Sequence, residues 1–437
     1  MSLPPRARRG EVNLFPIRDG QVLEYLMAPF DRKQVLSWCF YDFANSSYSA
    51  VISTVIFPVY FASYIVGNDA GLGDLWWGRA VSLSMVTVAL LSPVLGGIAD
   101  YTGARKRFLV FFTLLCVSSV AMFSFLEKGM VLEGFALIVV ANIGLEAGVV
   151  FYNSFFPVIV PREYQGRVSS WGFALGYVGS MISLFLARFL VGSGNYTLTW
   201  LMVSGFFILF SLPAFFNLPG EPRRAALGDA ARNGMRFTWR TLKMIYRDTE
   251  ARKFLLAYLL YADGVSTVIV FSSLFAATTL GFQPTELIVL YLLVQATALT
   301  GALAMAKPVD YWGPKKVVSL SLVLWTTVCV TAFFITVKWH FWFIALAAGL
   351  GLGTVQAASR AFFAQVIPAG HESEYFGVYS LAGKSSAVIG PLVFGYVSST
   401  MGSQRPAIFS VAFFFAAGLL IVHFIRGGGP NVEQGDR

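Results

Sequence analysis

From residue 34 onward the chain is a succession of long apolar runs separated by short polar or basic turns. A bilayer core of about 30 Å is crossed by about 20 helical residues. Twelve runs reach that length: 34–64, 77–99, 107–126, 133–160, 168–191, 197–217, 253–279, 285–309, 316–337, 341–367, 375–399 and 406–425. No water satisfies backbone groups inside lipid, so runs this long and apolar predict helices, not strands. The expected fold is an all-α polytopic membrane protein of twelve transmembrane helices.

The pattern also repeats. Asp100-Tyr101-Thr102-Gly103-Ala104-Arg105-Lys106 returns 210 positions later as Asp310-Tyr311-Trp312-Gly313-Pro314-Lys315-Lys316, each time at the end of an apolar run. Phe155-Phe156 with Pro161 and Phe362-Phe363 with Pro368 correspond at an offset of 207. Two parallel six-helix repeats in a membrane point to a transporter. The boundaries this implies are an N-terminal segment 1–33, a bundle 34–217, a linker 218–252, a second bundle 253–426 and a tail 427–437.

Charge sets the orientation. With the N-terminus inside, 25 of the 32 basic residues fall on the cytoplasmic side, 5 near the outer side and 2 within helices, which predicts both termini in the cytoplasm. Because the net charge of +9 sits in short loops and the linker, topology explains it and a nucleic-acid partner is not expected. In the linker, Arg232, Arg236, Arg240, Lys243 and Arg247 lie beside an apolar stripe, a pattern that predicts a basic amphipathic helix on the headgroup layer. The first 33 residues lack the apolar core of a cleaved signal, so the first helix is the expected insertion signal.

Enzyme chemistry finds little support. His340, His371 and His423 stand near helix ends or in loops, with no HExxH, Gly-x-Ser-x-Gly or P-loop. Cys39, Cys116 and Cys329 lie singly within apolar runs and read as core residues. No metal or cofactor is expected, and the missing P-loop leaves a gradient as the energy source.

The candidate chemistry lies in ionisable residues inside helices: Asp42, Glu146, Asp263, Arg360 and Lys384. Each would cost about 2.5–3.5 kcal/mol at mid-membrane, so they should face the bundle interior. On helix 4, Asn142, Glu146 and Asn153 share a face, as do Gly349, Gly353, Gln356 and Arg360 on helix 10. The 207 offset makes these faces equivalent, with Asn153 matching Arg360. Asp42, Asn45 and Ser49 form a third stripe on helix 1. Structural ion pairing is the plainer account of any one of these charges. The repeated loops have their own logic: an Asp at a helix C-terminus faces an unfavourable dipole unless another helix offers its amides. Asp100, Gly103, Arg105 and Lys106, with Asp310, Gly313, Lys315 and Lys316, are therefore expected to gate, Asp100 near Tyr375 and Asp310 near Arg167.

Gly96-Gly97-Ile98-Ala99-Asp100-Tyr101-Thr102-Gly103-Ala104-Arg105-Lys106 resembles the loop between the second and third helices of the major facilitator superfamily, with Tyr101 and Ala104 where that pattern usually has basic residues. Within it, Trp38-Cys39-Phe40-Tyr41-Asp42-Phe43-Ala44-Asn45-Ser46-Ser47-Tyr48 resembles the first-helix signature of the branch containing the fungal vacuolar, autophagy-related amino-acid effluxer and its bacterial relatives. Phe151–Pro157, Gly166–Tyr177 and Phe376–Lys384 fit that branch too. Helix 4 carries Glu146 and no arginine, and helix 5 lacks the Gly-Pro pair typical of drug antiporters, although Gly390-Pro391 stands in helix 11.

The resemblance implies alternating-access transport and, for the fungal member, amino-acid export from the vacuole. The leading expectation is a secondary transporter of a small zwitterionic or anionic metabolite, amino acids foremost. Asn45, Asn142, Asn153, Gln356, Arg360 and Lys384 would bind substrate, and Asp42, Glu146 and Asp263 would couple protons. Export of amphipathic compounds or lipids is the alternative, and a non-transporting receptor on the same fold a minor one. The expected partners are a small molecule, protons and the bilayer, for a monomer in the plasma membrane or a vacuolar-type membrane.

Overall fold

The computed structural model describes residues 30–67, 72–220, 239, 243–282, 284–368, 370–386, 389–401 and 403–425. Every regular element among them is helical. In chain order these are α1 (Arg32–Ser47, continued by π-helical Tyr48–Val55), α2 (Leu72–Thr102), α3 (Arg105–Met122), α4 (Val131–Ile159), α5 (Gln165–Gly192) and α6 (Tyr196–Asn217). Then come α7 (Thr249–Leu280), α8 (Pro284–Ala304 and Ala306–Trp312), α9 (Pro314–Phe334), α10 (Lys338–Val366), α11 (Glu372–Ser385 and Ile389–Met401) and α12 (Gln404–His423).

Ten helices among the described residues are long and apolar enough to cross a bilayer, and a bent pair at the start of the chain makes eleven. The run 375–399 is described as the two shorter segments of α11. The run 34–64, expected as one helix, is broken: Arg32–Val55 and Phe57–Val66 meet at 40°. Pro58 has no N–H to donate to Thr54, so the α-pattern cannot pass through it. The preceding turns widen instead: Ile56 N–H donates to the Val51 carbonyl, and Thr54 Oγ1 donates to the Ser49 carbonyl at 2.8 Å. Most of the linker helix expected around Arg232–Arg247 lies outside the described residues, as do the segment 1–29 and the tail from 426; residues 243–247 are helical.

Helix α1 packs on α5 and α6, and α4 on α2 and α3; in the second repeat α10 packs on α8 and α9, and α12 on α7 and α9. The two sets meet where α2 lies against the first segment of α11 and where α5 lies against α8 and α10.

At the end of the bundle carrying the two repeated loops, the sets are latched twice. Asp100 at the end of α2 accepts from the N–H groups of Ser373 (3.3 Å) and Glu374 (2.9 Å), the first turn of α11. Arg105 bridges Asp100 (2.8 Å) to Glu372 (2.6 Å). Asp310 at the end of α8 accepts from Arg167 N–H at 3.1 Å and pairs with its guanidinium at 3.3 Å, at the start of α5. Each carboxylate escapes its own helix's C-terminal dipole by docking on another helix's N-terminus. Gly103 (φ 69°) and Gly313 (φ 82°) make the turns that follow, in the left-handed region where a side chain is disfavoured. The lysines do something else. Lys106 donates to the carbonyls of Phe216 and Leu218, and Lys315 to those of His423 and Ile425. Each ties its own repeat together at the C-terminus of α6 or α12, and Lys316 is exposed.

Close approach of α2 to α11 requires Gly96, where a Cβ would come within 2.5 Å of the Ser373 carbonyl oxygen and 3.1 Å of the Glu374 Cα. Gly96→Ala should therefore push α2 and α11 apart at a cost of about 1–3 kcal/mol. Spin labels at Tyr101 and His371 should report a longer, broader distance distribution than in the parent, and an unchanged distribution would refute the account.

Candidate functional site

Between the two sets of helices lies a cavity of about 400 Å³, walled by α1, α4, α5, α7, α10 and α11. Its polar lining comes from Asp42, Asn45 and Ser49 on α1, Glu146 and Asn153 on α4, and Gln356 and Arg360 on α10. Tyr258 and Tyr261 on α7 and Tyr379 on α11 also line it, with Tyr258 and Tyr379 stacked at 4.2 Å.

The wall between cavity and latch is built around Arg360. This side chain leaves α10 and enters the first repeat, where it is 3% exposed. Its Nη1 donates to Asp42 Oδ2 at 3.0 Å, Nε to Ser169 Oγ at 3.0 Å and Nη2 to the Ser169 carbonyl at 2.7 Å. Ser169 in turn donates to the Ala357 carbonyl at 2.8 Å. The guanidinium lies over the rings of Phe173 (4.1 Å) and Trp38 (4.6 Å), with Phe156 and Tyr152 just beyond. Trp38 is itself fixed by stacking on Tyr152 at 4.6 Å and by donating to the Tyr152 carbonyl at 2.9 Å. Small size at Gly172 keeps the pair in place, since a Cβ would stand 2.7 Å from Asp42 Oδ2 and 2.8 Å from Arg360 Nη2. A buried ion pair is costly to form and costlier to break: removing one partner loses about 3–5 kcal/mol.

The other residues expected at a site divide. Asn45 lines the cavity while donating to the Tyr41 carbonyl at 2.9 Å. Gln356 accepts from Tyr177 at 2.6 Å, a further link between the sets. Asn153 faces the cavity with its Oδ1 unpartnered among the described residues. Asn142 does not line it: its Oδ1 accepts from the Tyr48 hydroxyl at 2.8 Å, inside the first repeat. Asp263 is also off the cavity wall and fully buried, its Oδ2 accepting from Gly390 N–H at 2.8 Å. That bond ties α7 to the second described segment of α11. The Lys384 side chain lies outside the described residues.

Sequence reasoning missed the cage itself. Trp38 stands four residues before Asp42, Phe173 four after Ser169, and Phe156 four after Tyr152. An aromatic one turn from a polar or aromatic partner, on three helices at once, was the available signal.

The family model described as vacuole effluxer Atg22 like matches residues 79–428. An uncharacterized MFS-type transporter, YxiO, of Bacillus subtilis (strain 168) is 30% identical over 412 residues, which cover 90% of this chain and 95% of that one. Autophagy-related protein 22-1 of Neosartorya fischeri is 26% identical over 321 residues, 64% of this chain and 51% of that protein's length. Among solved structures, the major facilitator superfamily transporter FucP in the outward conformation matches in fold, with a TM-score of 0.72 at 15% identity over 90% of this chain and 98% of that one. With the latched loops and the cavity between two helix sets, these similarities make the chain a multi-pass membrane transporter of the major facilitator superfamily, belonging to its Atg22-like family.

Proposed function

We propose that this chain carries a small zwitterionic or anionic metabolite, amino acids being the leading class, by proton-coupled alternating access. The two moving bodies are residues 34–217 and 253–426 of a twelve-span, monomeric protein in the plasma membrane, with both termini and the latched loops in the cytoplasm. The observation that carries this reading is the Asp42–Arg360 pair on the wall of a polar cavity. A substrate carboxylate and Asp42 compete for one guanidinium that both helix sets hold. A proton on Asp42 frees Arg360 for the substrate, so proton and carboxylate bind together. Glu146 lines the same cavity and is the acid assigned to an ammonium group, and Asn153 offers an unpartnered carbonyl oxygen. A cavity of about 400 Å³ suits a molecule of amino-acid size.

Release of Arg360 also undoes its two bonds to Ser169 on α5, so loading would loosen the contact between α5 and α10 that closes the loop end. The rocking of one repeat against the other then follows from differential binding to the two states. The family model's description as a vacuole effluxer supports carriage toward the cytoplasm, because the vacuolar lumen is topologically outside.

A thermal-shift comparison of the purified protein with amino acids, organic acids, peptides and lipophilic cations, at mildly acidic and mildly alkaline pH, tests the substrate class. Stabilisation by a carboxylate-bearing metabolite, larger at acidic pH, absent in Arg360→Ala and weakened about tenfold or more in Glu146→Gln, is the expected result. Stabilisation by lipophilic compounds alone would overturn it.

In proteoliposomes, Asp42→Asn should abolish the response of flux to an imposed pH gradient. An unaltered response removes Asp42 from coupling. Because Arg360 reaches its cage and Ser169 only by crossing from α10, the exchange Asp42→Arg with Arg360→Asp should not restore transport: the guanidinium would start on α1, beside the cage, and lose the approach that places it against Ser169 and ties the two helix sets together. Recovery to near the parent rate would show that pairing alone matters.

A further inference from the structure

Within the second repeat, α7, α8, α9, α10 and α12 enclose another chamber, of about 420 Å³. Ile269 on α7 lines both this chamber and the central cavity, so the two adjoin. Thr54, from the π-helical stretch of α1, completes its wall from the first repeat. Among the described residues no charged side chain lines it; the surface is aliphatic and aromatic with a few neutral polar groups.

Two of those groups have no protein partner. Gln295, mid-way along α8 and 9% exposed, lines the chamber with a side-chain amide that forms no hydrogen bond among the described residues. Trp325 on α9, 2% exposed and held by stacking on Phe415 at 5.3 Å, lines the chamber with its ring, while its indole N–H, without an acceptor, is packed toward Gly351. A carboxamide buried in a bundle core without a partner costs about 1–3 kcal/mol relative to an apolar residue of the same shape. A leucine would serve packing better, so the glutamine is accounted for by what the chamber receives. An apolar pocket of this size with a small number of convergent polar groups is the usual form of a small-molecule site.

We propose that this chamber is a second binding site, distinct from the central cavity, for an uncharged and largely apolar molecule bearing one carbonyl or hydroxyl oxygen, which meets the Gln295 amide. Charge is excluded because nothing on the wall could neutralise it. A bare hydrocarbon would leave the amide unpaired and bind less well.

Benzophenone tests this directly. It has a single carbonyl between two rings and labels neighbouring C–H bonds on irradiation; diphenylmethane has the same shape without the oxygen. In the full-length protein, photolabelling mapped by mass spectrometry should fall on chamber residues of α7–α10. Diphenylmethane should compete about three- to tenfold less well than unlabelled benzophenone. Gln295→Leu, which keeps the bulk, should erase that difference while retaining labelling, and Ala345→Phe, which fills the chamber, should remove the labelling. Labels scattered over lipid-facing residues and indifferent to Ala345→Phe would mean partition into lipid and detergent, and would overturn the site. Equal competition by the two compounds in the parent protein would overturn the assigned ligand class. Gln295→Leu should also raise the melting temperature in the absence of probe, a readout that does not depend on any ligand.

Discussion

One guanidinium carries most of the physical constraint in this molecule. Arg360 belongs to the second repeat by sequence and to the first by environment. Taking such an ion out of water costs several kcal/mol even after relaxation. That cost is offset only by the full set of partners: the Asp42 carboxylate, both oxygens of Ser169 and the faces of two aromatic rings. A lysine could not replace it, since the planar fork and the stacked faces are properties of arginine. Each remaining feature of the interface is arranged so that α10 can approach α1 and α5 closely enough for these bonds to form. Gly172 clears the space, Tyr177 and Gln356 hold the next turn, and the two latches fix the helix ends.

Much of this was legible in the chain. The helices follow from apolar length alone, because lipid leaves the backbone no alternative, and the repeated loops announced that two helix ends would need outside amides. Other features were hidden for identifiable reasons. A proline late in a span does not say which turns will widen to accommodate it, so the π-helical stretch of α1 was not foreseen. Asn142, Glu146 and Asn153 share a helix face, yet a face about 100° wide meets both a neighbouring helix and a cavity. Asn142 is turned to Tyr48 and the others to the cavity. Asp263 resembled the other intramembrane acids because a carboxylate that bonds a neighbouring helix and one that faces a cavity look alike in sequence.

The repeat is faithful in architecture and loose in chemistry. Asp100 and Asp310 dock on equivalent helix starts, but Arg105 completes the first latch with Glu372 while Arg167 completes the second from the opposite partner. By heptapeptide alignment Lys315 corresponds to Arg105, and by its bonds it corresponds to Lys106. The register therefore slips by one residue between the loop and the helix that follows. Pro314 begins α9 one place earlier in that alignment than Arg105 begins α3.

The unequal pair at positions 153 and 360 limits how such a protein could have been assembled. Two copies of the second repeat would aim two arginines at one cavity, where like charges in a poorly screened interior repel. Two copies of the first would supply the aromatic cage twice and nothing to put in it. A symmetric dimer of six-helix chains could thus share the latches but not the centre. Fusion into a single polypeptide, with freedom for each half to change alone, is what lets one half become the socket and the other the plug.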